Sequence, residues 1–158
     1  MKSIVIYGTR YGNTHEVAKA IAISLEKWGA VELFPADAPP SLREADLVLV
    51  GGPTEGHGMS EPLKQFLAEL EDGVMRGKLA ACFDTRLTWP RLVSGSAAAR
   101  IEDKLRDLGA DVIGPNGSFL VKGKKPVLEP GELDRASAWA GAVARKAAVR
   151  APVAAGRA

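Results

Sequence analysis

Hydroxyl and amide side chains cluster directly after the first apolar segment of the chain. Residues 4–6 have the pattern of a buried strand, and a helical pattern begins near His15. Thr9, Asn13 and Thr14 lie between these two patterns. A strand that turns into a helix in this way presents unpaired backbone N–H groups and the positive end of the helix dipole. The stretch therefore predicts an anion site at the start of the first helix.

No nucleotide motif identifies the anion. The first loop lacks both the Gly-x-Gly-x-x-Gly pattern of a dinucleotide site and the Gly-Lys-Ser/Thr of a triphosphate loop. What remains is a set of hydroxyls, one side-chain amide and the main-chain N–H groups from Arg10 to His15. Directed hydrogen bonds to a charged group contribute about 1.5–3 kcal/mol each, so little countercharge is needed. The residues predict a neutral seat for a single phosphate group.

Strand and helix patterns alternate along the chain, which indicates a parallel sheet covered by helices on both faces. Right-handed crossovers then favour a three-layer, doubly wound α/β fold with five strands in the order 2-1-3-4-5. Gly29 is expected to end the first helix, and Asn13 or Thr14 to cap it. The predicted strands are 3–7, 31–34, 46–50, 79–83 and an interrupted fifth strand at 111–113 and 118–121; a helical turn is predicted at 41–45, and later helices at 60–70, 96–108 and 132–149.

This strand order also predicts where a ligand binds. In such a sheet the crevice lies beyond the carboxyl ends of the strands, where the winding reverses between strands 1 and 3. The loops after strands 1 and 3 are rich in glycine, and the loop after strand 4, residues 84–95, is long and contains Trp89. Three specialised loops are therefore expected to converge on one crevice.

The same three loops resemble those of flavodoxins. Residues 9–14, Thr-Arg-Tyr-Gly-Asn-Thr, are similar to the flavodoxin phosphate loop, Ser/Thr-x-Thr-Gly-Asn-Thr. Residues 51–60 resemble the second flavin-binding loop of that family, and residues 83–86 stand where its third loop belongs. The resemblance covers residues 1–149. It implies FMN as the cofactor, a doubly wound fold and electron transfer, with no catalytic side chain because the cofactor supplies the chemistry.

The resemblance also assigns roles to individual residues. Thr9, Asn13 and Thr14 would bind the phosphate by side chain and backbone, and Arg10, Tyr11 and Gly12 would contribute N–H groups. The residues expected along the flavin ring are Pro53, Thr54, Glu55, Gly56, His57 and Gly58 at its edge, and Asp84, Thr85, Arg86 and Trp89 at its pyrimidine side and one face. Gly56 and Gly58 lack a Cβ, so a peptide carbonyl there could turn toward the flavin and tune its redox potentials.

Three features depart from the family pattern. Tyr11 stands where a small hydroxyl residue is usual, and Glu55 and His57 stand in a loop that often holds an aromatic residue. The chain has a net charge of +2. Residues 141–158 contain four basic residues and no acidic residue, so residues 1–140 carry a net charge of only −2. These departures concern the cofactor affinity, the redox potentials and the choice of redox partner, respectively.

The composition limits the class of protein and the kinds of site that the chain can contain. The 158 residues suit one domain, 1–149, followed by an Ala-rich basic tail, 150–158, that is expected to be loosely held. A single cysteine, Cys82, favours a reducing cytoplasm and a buried, unreactive role. We expect no metal site, no nucleic-acid binding and no membrane span, since the sequence has no Cys/His cluster, basic aromatic stripe or long apolar run.

Three functions stay open from the sequence. The first is a soluble, low-potential electron carrier that binds FMN and works between a reductase and an acceptor protein. The second is an FMN-dependent oxidoreductase of the quinone reductase or protoporphyrinogen oxidase type, with residues 84–95 shaping a substrate site. The third is an interaction module without flavin, which Tyr11 and the missing aromatic residue of the second loop would permit.

Overall fold

Parallel strands form the centre of the sheet. A computed structural model of the chain describes residues 1–55, 58–88 and 95–151. The long strands lie in the order β2-β1-β3-β5-β7, with short strands at the edge and beside the ends of the others. The strands are β1 (Ser3–Tyr7), β2 (Val31–Pro35), β3 (Leu47–Glu55), β4 (Gly58–Met59), β5 (Leu79–Leu87), β6 (Asp111–Val112), β7 (Gly117–Lys122) and β8 (Val127–Leu128); the helices are α1 (Asn13–Leu25), α2 (Glu61–Ala68), α3 (Ala97–Asp107) and α4 (Glu132–Arg150).

This order confirms the predicted doubly wound fold with strands in the order 2-1-3-4-5. The predicted strands 1, 2 and 3 are β1, β2 and β3, the predicted strand 4 is β5, and the predicted strand 5 is β6 with β7. The interrupted fifth strand is present as two segments, β6 and β7, which both pair in parallel with β5. The sequence reading missed β4, which folds back antiparallel onto the end of β3, and β8, which pairs antiparallel with β7. A strand of two residues such as β4 carries too little hydrophobic periodicity to be recognised by periodicity alone.

Alternating side chains of the strands divide the core into two layers. Ile4 and Ile6 of β1 point into the layer covered by α2 and α3, and Val5 between them points into the layer covered by α1 and α4. Successive residues of a strand face opposite sides of the sheet, so both faces of a central strand are apolar. The strands whose carboxyl ends would form the ligand crevice are therefore packed on both faces.

β3 and β5 extend beyond their predicted ends. The sequence reading ended these strands at Val50 and Phe83, but β3 runs on to Glu55 and β5 to Leu87. Gly51 and Gly52 remain in the ladder, paired with Phe83 and Asp84. Glycine is required at position 51 by lack of space and not by a turn, because a Cβ on Gly51 would lie 2.3 Å from the Phe83 ring.

The helix boundaries correct several sequence predictions. α1 already begins at Asn13, so neither Asn13 nor Thr14 caps it; the capping position is Gly12, without a side-chain hydrogen bond. α1 ends at Leu25, and a 3-10 turn carries the chain to Gly29. Ser96 caps α3, accepting a hydrogen bond from the Ala99 N–H at 3.2 Å.

Two further boundaries differ. Residues 41–45 form no helix, although the Ala45 N–H donates to the Leu42 carbonyl at 3.1 Å in a turn. Arg150 belongs to α4 and not to the tail, and residues 152–158 lie outside the described residues.

The contact between Gly51 and Phe83 gives a test of this packing. Gly51→Ala is expected to lower the free energy of unfolding by about 2 kcal/mol, because the added methyl group overpacks the buried ring. Gly141→Ala is the control, since its Cβ would meet only the Arg145 guanidinium at 3.5 Å. This helical change is expected to stabilise by about 0.5–1 kcal/mol. Urea unfolding measures both changes, and equal midpoints for the two variants would contradict the packing.

Candidate functional site

The carboxyl ends of the strands surround a cavity of about 680 Å³. The described parts of the three loops expected to converge there line this cavity, and a fourth segment, the turn between β7 and β8, lines it as well. Ten of the thirteen predicted site residues that the structure describes line this cavity. The lining consists of Thr9, Arg10, Tyr11, Asn13, Thr14, Pro53, Thr54, Glu55, Thr85, Arg86, Leu87, Thr88, Val121, Lys122, Gly123, Lys124 and Pro126.

The first loop forms an anion seat from its main chain. Gly12 adopts a left-handed conformation with φ of 87°, and its N–H donates to Thr9 Oγ1 at 2.9 Å. The first intrahelical bond of α1 is donated by the Glu16 N–H to the Gly12 carbonyl. The N–H groups of residues 13–15 therefore have no acceptor within the helix, and they form the positive end of its dipole. This donor set fits a phosphate group.

The side chains of Asn13 and Thr14 fix the seat to its surroundings. Asn13 Nδ2 donates to the Pro126 carbonyl at 2.7 Å, which joins the start of α1 to the turn between β7 and β8. Thr14 Oγ1 lies 2.9 Å from Thr85 Oγ1 in a buried contact with β5. Both side chains make contacts within the protein, so the backbone N–H groups are the main donors that this loop offers to an anion.

Asp84 holds the end of the sheet together. Its side chain is fully buried and does not line the cavity. The carboxylate accepts hydrogen bonds from Ser118 Oγ at 2.6 Å, Ser96 Oγ at 3.0 Å, the Ala98 N–H at 3.1 Å and Thr54 Oγ1 at 3.3 Å. The Ala98 N–H belongs to the first turn of α3, where the helix dipole favours a negative charge. Asp84 thus ties β3, β5, β7 and α3 together beneath the cavity.

Arg86 extends this network into the cavity. Its Nε donates to Ser118 Oγ at 2.8 Å, and Ser118 is the residue that bonds Asp84. Arg86 also lines the cavity beside Thr85. The buried carboxylate therefore positions, through Ser118, one of the cationic side chains that line the cavity.

Tyr11 lies at the rim of the cavity and is 54% exposed. The Arg10 guanidinium lies over its ring, 5.2 Å from the centroid, and Arg10 Nη1 approaches Glu55 Oε1 at 4.0 Å. A cation above an aromatic face at this distance is attractive. The side chain of Tyr11 therefore lies outside the anion seat, although its backbone is part of the loop.

The sequence reading missed the turn between β7 and β8. Lys122, Gly123, Lys124 and Pro126 line the cavity, together with Leu87 and Thr88 at the end of β5. A signal was available, since a Gly flanked by polar residues between two apolar segments is typical of a hairpin. The antiparallel pairing of Val121 with Leu128 bears out this pattern.

Gly56, His57 and Trp89 lie outside the described residues, whereas Gly58 pairs with Glu55 in the β3–β4 hairpin. Cys82 is buried as expected, and burial raises the pKa of its thiol far above the usual range.

Residues 1–55, 58–88 and 95–151 contain no group of three or more His, Cys, Asp or Glu side chains placed to hold a metal ion. No helix in those ranges is long and apolar enough to cross a bilayer.

A family model described as flavodoxin matches residues 5–142. The chain therefore belongs to the flavodoxin family, which confirms the resemblance of its loops and implies a flavin cofactor. The cavity agrees with this in size, since ligand pockets usually measure about 300–1,000 Å³. It also agrees in chemistry, because a cluster of main-chain N–H donors opens into a larger space lined by apolar and polar side chains.

Similar structures and sequences include single-domain and larger proteins. A flavodoxin from the domain Archaea matches with a TM-score of 0.77 and 26% identity, over 94% of this chain and 99% of that chain. Flavodoxin 2 from Bacillus cereus has the same fold, with a TM-score of 0.78 and 23% identity over 92% and 99% of the two chains. Putative diflavin flavoprotein A 5 from Nostoc sp. is 35% identical over 112 residues, which is 66% of this chain but only 19% of that protein.

The Asp84 network is open to a direct test. Asp84→Ala is expected to lower the free energy of unfolding by about 3 kcal/mol, since several buried donors lose their acceptor. Asp103→Ala, an exposed change in α3, is the matched control and should stay within about 0.5 kcal/mol of the parent. Urea unfolding followed by circular dichroism measures both variants. Similar midpoints for Asp84→Ala and Asp103→Ala would show that Asp84 does not hold the strands together.

Proposed function

We propose that this protein binds FMN in the 680 Å³ cavity and carries electrons between redox proteins. The observation that carries the proposal is the main-chain anion seat at the start of α1, opening into a cavity built from the two other flavin loops. The seat offers one cluster of N–H donors and lacks the glycine pattern of a pyrophosphate site, which favours a flavin with a single phosphate.

Each segment of the cavity has a proposed role. Residues 9–14 hold the phosphate through N–H groups, with Thr9 and Gly12 fixing the turn. Pro53, Thr54 and Glu55 border the ring together with residues 56–58, and Thr85 and Arg86 contact its polar edge. The cofactor supplies the redox chemistry, while these residues bind it, orient it and limit access of water.

The partners are proposed to be a reductase and an acceptor protein. Membership of the flavodoxin family supports this, because the cofactor of an electron carrier must receive electrons from one redox protein and pass them to another. The cytoplasm is the proposed location, where a single buried cysteine stays reduced.

Flavin content and turnover test the proposal together. The purified protein is expected to be yellow, or to take up added FMN at one per chain, as measured by quenching of flavin fluorescence. With reduced pyridine nucleotide and a quinone but no partner protein, turnover should be negligible. Rapid turnover would favour the FMN-dependent enzyme, and a colourless protein that binds no FMN would favour the interaction module.

Gly58 provides a test of how the chain tunes the cofactor. A Cβ at Gly58 would meet only Arg100 Cγ, at 3.9 Å, so Gly58→Ala should fold normally. We expect it to lower the first one-electron potential by about 40 mV, because it hinders a carbonyl from turning toward the flavin and one hydrogen bond is worth about 1 kcal/mol. Spectroelectrochemical titration measures the change. If Gly56→Ala and Gly58→Ala both leave the potentials unchanged, this tuning does not operate.

A further inference from the structure

The turn between β7 and β8 brings a group of lysines to the cavity. Lys122 and Lys124 line the cavity, whereas the adjacent Lys125 does not. All three side chains are exposed. Two lysines of the turn therefore belong to the lining of the cavity, and the third does not.

This turn is fixed against the anion seat. The hydrogen bond from Asn13 Nδ2 to the Pro126 carbonyl, at 2.7 Å, joins the first residue of α1 to the turn. Lys124 precedes Pro126 by two residues, so its backbone is within about 8 Å of this contact. The long, flexible stem of a lysine then lets its ammonium group reach an anion at the start of α1.

The cations around the cavity differ in what they contact. Four cationic side chains and one carboxylate, Glu55, line it. Arg10 lies 4.0 Å from that carboxylate, Lys122 Nζ is 3.5 Å from Glu129 Oε2, and Arg86 donates to Ser118. Lys124 has no hydrogen-bond or ion-pair partner among the described residues. It is therefore the cation best able to turn toward a bound anion.

We propose that Lys124 supplies the countercharge for the phosphate group of the bound flavin, and so selects FMN over riboflavin. The proposal rests on the proposed function, and it deepens that function by naming the residue that recognises the phosphate charge. It also changes the neutral seat expected from the first loop alone. A single ammonium group within reach of a dianion strengthens binding, and salt weakens that contribution at an exposed site.

Lys124→Gln and Lys125→Gln remove the same charge from adjacent positions, so the second variant controls for net charge. Titration of the apoprotein with FMN and with riboflavin, followed by flavin fluorescence at low and high salt, separates their effects. Lys124→Gln is expected to weaken FMN binding about tenfold at low salt and to leave riboflavin binding unchanged. Lys125→Gln should change neither affinity. Lys124→Arg keeps the positive charge and should bind FMN about as tightly as the wild type.

Equal effects of the two Gln variants, or an equal loss for FMN and riboflavin in Lys124→Gln, would overturn the proposal. A wild-type protein that binds neither flavin would instead contradict the proposed function. Thermal unfolding with inorganic phosphate then tests Lys124 by itself. Phosphate should raise the Tm of the wild type and of Lys125→Gln more than that of Lys124→Gln; equal increases would reject a role for Lys124 in anion binding.

Discussion

The geometry of the site depends on one buried charge. The Asp84 carboxylate accepts hydrogen bonds from residues of β3, β7 and α3 while it sits in β5. A buried carboxylate is tolerated only when its oxygens are well satisfied, so these elements must meet at one place. The cavity lies directly beyond that place. Its floor is therefore set by the same interactions that complete the sheet.

The anion seat is organised in a different way. Its donors belong to the main chain, and the side chains of Asn13 and Thr14 anchor the start of α1 to the β7–β8 turn and to β5. A seat made of N–H groups tolerates varied side chains at its outer positions. This explains how Tyr11 replaces a small hydroxyl residue, since its ring lies at the rim beneath Arg10. A side chain from another segment, such as Lys124 of the β7–β8 turn, can then recognise the charge of a bound anion.

The floor of the cavity is buried, whereas its rim is exposed. Flavodoxins match this chain over nearly their whole length, while the diflavin flavoprotein contains the matching region as a small part of a longer chain. The rim here combines Tyr11 and Arg10 with the lysines of the turn. These exposed residues, and not the buried network, are the ones that a partner protein can contact directly.

The sequence by itself determined the strand order, the two-layered core and the position of the crevice, because hydrophobic periodicity and glycine-rich strand ends are local signals. Its loop motif also led to the flavodoxin family. Only the tertiary structure decided that β3 and β5 continue past Val50 and Phe83, and that Asp84 is a buried junction. It also brought Lys124 into the lining of the same cavity as Thr14, although 110 positions separate the two residues in the chain. Such contacts arise from pairing between distant segments, which leaves no periodic trace in either segment.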